Sequence, residues 1–279
     1  MATVKVTALQ IPVTDNPKTN WKTIKRNILS HIGSDWIVTP ECALSGYFTP
    51  PTLLKTDKDK EEDLEDCLNQ LEDFQAQQRT GIVLGTGWRE QDGYPYNETR
   101  MYNLQGHLVS TYKKRLLTRG PEGGGEMYHY LPGFQPSYFY ADTGNQILAS
   151  SLICNDVWAS PVVSPDGNPY FVNQLAGQGV KIIFVSANCN VPNPYWDPLV
   201  FNYHDVMLRT LAKQNKVYMV ISNSSLTMPQ YIGSTGQHVE PQPVSKVQLR
   251  SGIIGPDGEW MAWCDEQDED SVTLELEVG

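Results

Sequence analysis

The sequence predicts an α/β fold in which two layers of mixed sheet lie inside helices. Three observations predict it. Apolar residues follow helical or strand periodicity along most of the chain, helices alternate with strands near both ends, and hairpin-type strand pairs fill the middle. An all-parallel sheet would need a crossover after every strand, and the middle of the chain has none. Residues 1–279 show no linker, low-complexity segment or convincing repeat, so one domain over the whole length is expected.

Val4 to Leu9 reads as a strand, and Thr19 to Ile32 as a helix because Trp21, Ile24, Ile28 and His31 or Ile32 recur at helical spacing. Trp36 to Thr39 is a second strand. It runs into Pro40-Glu41 and a loop holding Ser45-Gly46-Tyr47 and Pro50-Pro51. Asp57 to Arg79 is the clearest helix, with Leu64, Cys67, Leu68, Leu71 and Phe74 on one stripe and acids and amides elsewhere. Strands follow at Ile82 to Gly85, Arg100 to Leu104 and Leu108 to Tyr112, the last two joined by a Gln105-Gly106 turn. After the glycine-rich stretch Gly120 to Gly125, Ser137 to Tyr140 and Gln146 to Ile153 form another pair around Thr143-Gly144-Asn145.

Next come a helix near Tyr170 to Ala176, a buried-type strand at Lys181 to Val185, a helix from about Leu199 to Gln214 and a strand at Val217 to Ser222. Residues 223–246 are polar and rich in Gly, Pro and Ser, and read as a long loop. Val247 to Ile254, Glu259 to Trp263 and Val272 to Val278 read as closing strands, with Gly255-Pro256-Asp257-Gly258 as the first turn between them. Asp265 to Asp270 reads as a solvated turn.

Charge narrows the partners. The formal net charge is -11, from 21 Lys+Arg against 32 Asp+Glu, and residues 141–279 hold 6 basic against 15 acidic groups. Such a field repels phosphates and anionic lipid, which argues against a nucleic-acid or membrane-surface role. Only Lys113, Lys114 and Arg115 cluster. The start of the chain has no basic segment followed by a long apolar one, and the best apolar run is only Ile182-Ile183-Phe184-Val185, so a cytoplasmic location is expected.

Cys42, Cys67, Cys154, Cys189 and Cys264 are odd in number and lack CxxC spacing, so reduced thiols are expected and neither a disulfide framework nor a zinc site is indicated. His238-Val239-Glu240 imitates the HxE of zinc deaminases, but no PCxxC follows. Gly123-Gly124-Gly125 lacks the Lys and Ser or Thr of a phosphate loop and reads as a hinge before Glu126. No metal and no cofactor is implied.

Glu41, Lys114, Glu126 and Cys154 each follow a strand or lie in a loop, where a scaffold presents reactive groups. Singly, each has an ordinary explanation: a turn cap, a surface charge, a loop acid, a small buried hydrophobe. Together with their neighbours they mean more. Asp35 to Tyr47, with Pro40-Glu41 and Gly46-Tyr47, resembles the Pro-Glu...Gly-Tyr segment of the carbon-nitrogen hydrolase (nitrilase-like) superfamily. Tyr112 to Leu117 is similar to its Tyr-x-Lys-x-x-Leu segment, Glu126 precedes Leu131-Pro132-Gly133 as its second glutamate does, and Cys154-Asn155-Asp156 resembles its nucleophile segment. The likeness extends from Val4 to the Gly252–Gly258 turn.

This resemblance implies a four-layer α-β-β-α sandwich with two central mixed sheets, and a cofactor-free hydrolase in which Cys154 is the nucleophile. Glu41 would be its general base, Lys114 the oxyanion donor together with the Asn155 backbone N–H, and Glu126 would orient the substrate nitrogen and balance Lys114. A thiol near pKa 8.5 is mostly protonated at neutral pH, which is why a base and a cation belong beside it. Family membership leaves nitriles, amides, carbamoyl compounds, glutamine-type amides and acyl transfer open. Cys154-Asn155-Asp156 is similar to the carbamoylase branch, whereas nitrilases tend to have Trp-Glu after the cysteine, so a small linear amide or N-carbamoyl compound is expected.

Cys154-x-Asp156-x-Trp158 also resembles the glutaminase domains of NAD synthetases, making a free-standing glutamine-type amidase one alternative. A nitrilase, a thioester acyltransferase and a catalytically silent binding protein are the others. Trp158-Ala159-Ser160-Pro161 departs from the Phe-Pro-Glu of most relatives, and Asn188 to Trp196 would form the other pocket wall. Tyr47, Trp158 and Trp196 are candidate apolar lining, though each is also an ordinary core aromatic. Arg209 reads as a salt-bridge partner before a substrate contact. The resemblance further implies a homodimer or larger homo-oligomer, with Tyr203, Met207, Leu211 and the C-terminal tail as candidate contacts.

Overall fold

Strand-forming Val and Ile positions that alternate with small or polar residues build two sheets, and a computed structural model of the chain shows how they stack. The structure describes residues 2–47, 58–89, 93, 95–118, 125–144, 146–158, 170–192, 198–225, 231–232, 238–239, 245–247, 249–264 and 268–279. The first sheet comprises β1 (Ala2–Gln10), β2 (Trp36–Val38), β3 (Gly81–Arg89), β4 (Pro95–Tyr102), β5 (Leu108–Lys113) and β16 (Asp270–Val278), in the order β16-β1-β2-β3-β4-β5. The second comprises β6 (Phe139–Tyr140), β7 (Leu148–Ile153), β8 (Ile182–Ala187), β10 (Tyr218–Asn223), β14 (Gly252–Ile254) and β15 (Trp260–Trp263), in the order β15-β14-β10-β8-β7-β6. Each sheet has three parallel central strands, β1-β2-β3 and β7-β8-β10, flanked by antiparallel ones.

The pleat sorts the two faces. Trp36 turns inward and meets Phe139 and Phe184 of the second sheet at ring-centroid distances of 4.6 and 6.1 Å. Full burial of such a side chain is worth about 1.5 to 3 kcal/mol. Ile37, Ile82 and Leu84 point the other way, onto α1 (Pro17–Ser30) and α2 (Lys58–Gln78) through Trp21, Ile24, Ile28, Leu64, Leu68 and Leu71. On the outer side of the second sheet lie α4 (Phe171–Gly177) and α5 (Pro198–Asn215), contributing Phe171, Val172, Leu208 and Leu211 to the core. The architecture is the expected α-β-β-α sandwich with two mixed sheets. Short strands β9 (Asn190–Pro192) with β13 (Ser245–Val247), and β11 (Tyr231–Ile232) with β12 (His238–Val239), pair outside it.

Local chemistry sets the boundaries. The Asn16 side chain accepts from Thr19 N–H at 2.8 Å and Pro17 opens α1, a capped start that helical spacing alone placed two residues late. The helix stops at Ser30, so Ile32 lies outside it and is exposed. The strand expected at Arg100 to Leu104 instead begins at Pro95, and Val247 to Ile254 divides between β13 and β14. Leu211 is buried core, so of the three helical contacts expected between subunits it is unavailable, while Tyr203 is exposed. Of the loop at 223–246, Asn223 to Ser225 are buried; most of the rest, like Gly120 to Gly124, Pro50-Pro51, Ala159 to Pro169, Trp196 and Glu240, lies outside the described residues. No helix among the described residues is long and apolar enough to cross a membrane.

Candidate active site

Parallel strands direct their carboxyl ends to one edge, the edge where open α/β sheets bind ligands. Glu41 follows β2 there, and Cys154 follows β7. Lys114 follows β5, which runs in the same direction as β3 because both pair antiparallel with β4. The end of β8 fastens two of these segments: Glu41 N–H donates to the Ala187 carbonyl at 3.2 Å, and Cys154 N–H donates to the Ser186 carbonyl at 2.8 Å. Cys154 itself has φ 47° and Cys42 φ 54°, left-handed conformations that cost about 1 to 3 kcal/mol each and persist where the surroundings hold them. Gly85 makes room behind Glu41. A Cβ there would stand 2.0 Å from the Pro40 carbonyl oxygen, closer than any side chain allows.

Lys114 is fully buried and donates to both carboxylates, at 2.6 Å to Glu41 Oε1 and 2.6 Å to Glu126 Oε2. Asn97, on the inner face of β4, bridges the same pair through Nδ2, at 2.7 Å to Glu41 Oε1 and 2.6 Å to Glu126 Oε1. Glu126 also accepts from the Thr118 N–H and hydroxyl, each at 3.0 Å. Its charge is therefore fixed by donors on both oxygens. Glu41 is different, because Oε2 has no hydrogen-bond partner among the described residues. An ammonium has three donors and two are spent here, which leaves one.

These contacts split the two carboxyls. Burial pushes the Glu41 carboxyl up, the Lys114 ammonium pulls it back, and the Glu126 charge adds to the rise. Burial opposes charge on Glu126 too, but Lys114 outweighs it, with help from Thr118 and Asn97, and holds that carboxyl below its ordinary value. Lys114 stays charged: desolvation works against the ammonium, and two adjacent anions more than offset it. The Cys154 thiol is raised well above its ordinary value by contact with Cys189, by burial and by the Glu41 charge, with Lys114 opposing.

Asp156, in α3 (Asn155–Trp158), ties the lysine segment to the cysteine turn. Its carboxylate accepts from Leu116 N–H at 2.7 Å, Arg115 N–H at 3.1 Å, the Tyr112 hydroxyl at 2.9 Å and Ile153 N–H at 3.2 Å. Burial raises its carboxyl to about 6 against the pull of Lys114 and these donors. Asp156 stands in a segment recognised from the sequence without a role assigned to it, because an interaction between distant segments has no periodicity to show.

The structure brings Glu41, Lys114 and Glu126 into direct contact. Cys154 lies near enough to feel the charges of Glu41 and Lys114. Asn155 is buried and donates to the Leu116 carbonyl at 3.3 Å, and Asn188 is buried and accepts from the Ser224 hydroxyl at 2.5 Å. Trp158 packs its ring 4.3 Å from that of His204, and Tyr47 sits in the core between sheet and outer helices, with its carbonyl accepting from Lys60 at 3.2 Å. Arg209 pairs with Glu259 at 2.5 Å, the salt-bridge use expected of it. Cavities of about 290 Å³ beside Arg115 and Phe171 and about 540 Å³ beside Trp36 and Asp142 are lined by none of the four candidates. The chemistry of the cluster, rather than cavity volume, marks the site.

Comparisons with known proteins give the family and the fold. The sequence model of the carbon-nitrogen hydrolase family matches residues 5–278. A sequence comparison with curated proteins finds no match. Among solved structures, an amidase variant from Nesterenkonia sp. AN1, described as carrying the acetamide moiety of fluoroacetamide on its active-site cysteine, superposes with a TM-score of 0.75 at 17% identity, covering 98% of this chain and 90% of that one. The glutamine-dependent NAD+ synthetase of Acinetobacter baumannii superposes with a TM-score of 0.75 at 20% identity, covering 99% of this chain and 46% of that one. At these identities the likeness is one of fold.

Proposed function

Because the chain belongs to the carbon-nitrogen hydrolase family, we propose that it hydrolyses a small linear amide or N-carbamoyl compound through a thioester on Cys154. The observation that carries the proposal is the buried lysine held between two carboxylates, one saturated with donors and one with an oxygen that has no hydrogen-bond partner among the described residues. Glu41 Oε2 takes the Cys154 proton as sulfur attacks the carbonyl carbon. The third Lys114 donor and the Asn155 N–H meet the oxyanion. Collapse breaks the C–N bond, Glu41 returns the proton to the leaving nitrogen, and ammonia or an amine departs. Glu41 then deprotonates the water that cleaves the thioester, releasing the acid and restoring the thiol. Glu126, occupied by Lys114, Asn97 and Thr118, remains the fixed anion that keeps Lys114 charged.

The amidase likeness in fold and the Cys154-Asn155-Asp156 segment support amides and carbamoyl compounds over nitriles. No metal or organic cofactor enters these steps. An ammonia-release screen over short amides, glutamine, N-carbamoyl amino acids, ureas and nitriles, with Cys154→Ala as the blank, tests the reading. Release from an amide or carbamoyl compound is expected. Release from nitriles alone would replace the proposal with a nitrilase, and acid formed only as a trace unless an amine acceptor is added, with the acyl group then passing to that amine, would replace it with an acyltransferase.

Asp156 gives a second test. Asn at position 156 keeps one acceptor oxygen and turns an NH2 group toward donors that now point at a carboxylate, so the lysine and cysteine segments shift apart. A displacement near 1 Å can cost about 10²-fold in rate. Asp156→Asn is therefore expected to lower kcat by about that factor with the fold retained by circular dichroism; an unchanged kcat would remove Asp156 from the argument.

A further inference from the structure

Cys189 stands just past the end of β8, and its Sγ lies 3.4 Å from Cys154 Sγ. Neither is in a disulfide, and Cys189 is partly exposed while Cys154 is buried. The contact is built rather than incidental. The Cys154 N–H is pinned to the Ser186 carbonyl, and the Cys189 N–H donates to Asn223 Oδ1 at 2.7 Å, so both thiols are carried on fixed backbone at adjacent strand ends. Bonding them requires the sulfurs to close from 3.4 Å to a disulfide length of about 2.05 Å. The hydrolytic steps leave the second thiol without a task.

We propose that Cys154 and Cys189 form a redox site that takes hydroperoxides and closes reversibly to a disulfide. The consequence for activity rests on Cys154 being the hydrolytic nucleophile; the disulfide chemistry does not. Glu41 Oε2 accepts the Cys154 proton, and the thiolate attacks the terminal oxygen of the hydroperoxide. The O–O bond breaks, sulfur loses two electrons to give a sulfenic acid, and the departing alkoxide or hydroxide takes a proton to leave as alcohol or water. Cys189 sulfur then attacks the sulfenic sulfur. The S–S bond forms, the S–O bond breaks, and hydroxide leaves as water with the Cys189 proton. A dithiol reductant reverses this by exchange. Without a neighbouring thiol, the sulfenic acid of an active-site cysteine proceeds under excess peroxide to sulfinic acid, which is irreversible for most proteins. Cys189 protects the nucleophile.

The test treats the reduced full-length protein with hydrogen peroxide and maps it by non-reducing digestion and mass spectrometry, alongside Cys189→Ser and Cys189→Ala. Expected in the parent protein are a Cys154–Cys189 cross-linked peptide, loss of ammonia release, and recovery of at least 80% of untreated activity with dithiothreitol, on the order of ten times the fraction recovered by either variant, whose Cys154 is found as sulfinic acid. The proposal is overturned if Cys154 reaches sulfinic acid at the same rate in all three proteins and no cross-linked peptide forms. Should the disulfide form in a protein that hydrolyses nothing, the redox site stands and the hydrolase reading falls; active protein without the disulfide gives the reverse.

Discussion

Lys114→Met is expected to abolish measurable hydrolysis and to destabilise the protein at the same time. Three effects act together. In the proposed mechanism the oxyanion loses its ammonium donor, which alone is worth on the order of 10²- to 10³-fold. Glu41 loses the cation that opposes its rise, so at neutral pH a larger share of the base is protonated. The two carboxylates, both buried, lose their counter-charge, and removing one partner of a buried ion pair costs about 3 to 5 kcal/mol. For a chain of this size that lowers Tm on the order of 10 °C. The double variant Lys114→Met with Glu126→Gln separates the effects: it removes one anion, so Tm is expected to recover in part while turnover does not. Equal Tm values for the parent and Lys114→Met would show that the triad is not the buried charge cluster described.

Glu41→Gln is expected to lower kcat/KM by about 10²- to 10⁴-fold, the usual worth of a positioned general base. Gln keeps an acceptor oxygen for Lys114 and Asn97, so the fold is expected to survive. The pH profile carries the sharper signature. In the proposed mechanism Glu41 acts only when ionised, and its carboxyl is raised above 4.5, so activity in the parent is expected to rise with pH through an acid limb displaced above that value. The neighbouring Glu126 charge contributes to the rise. Glu126→Gln removes it and is expected to move the acid limb to lower pH, at a reduced maximum because Lys114 has lost an anchor. A limb moving upward, or an unchanged limb in Glu126→Gln, would assign it to a group other than Glu41.

Much of this was legible in the sequence, for physical reasons. Long amphipathic segments show themselves: the stripe of Leu64, Cys67, Leu68 and Leu71 marks α2, and the apolar run at Ile182 to Val185 marks β8. Strand β4 was legible only from Arg100, because Asn97, Glu98 and Thr99 are polar. They are buried all the same, Asn97 to hold two carboxylates, Glu98 against Arg100 at 2.7 Å, and Thr99 against Ser151 at 2.8 Å across the sheets. Strand pattern fails there because the inner face near the site is chosen for chemistry. The resemblance placed Glu41, Lys114, Glu126 and Cys154 in order along the chain. What it could not give was the partition of their hydrogen bonds, in which Asn97 and Thr118 fill one carboxylate and leave Glu41 Oε2 open. Nor could spacing reveal that Cys154 and Cys189, 35 residues apart, touch.

The central claim is covalent, and its most direct measurement is rapid chemical quench of the protein with its amide or carbamoyl substrate, followed by digestion and mass spectrometry. The account predicts one acyl or carbamoyl group on the peptide containing Cys154, formed and lost at rates that match turnover, and absent from Cys154→Ala, which is inactive. Turnover at full rate with no added mass on Cys154, an adduct on another cysteine that matches turnover, or undiminished activity in Cys154→Ala would contradict it.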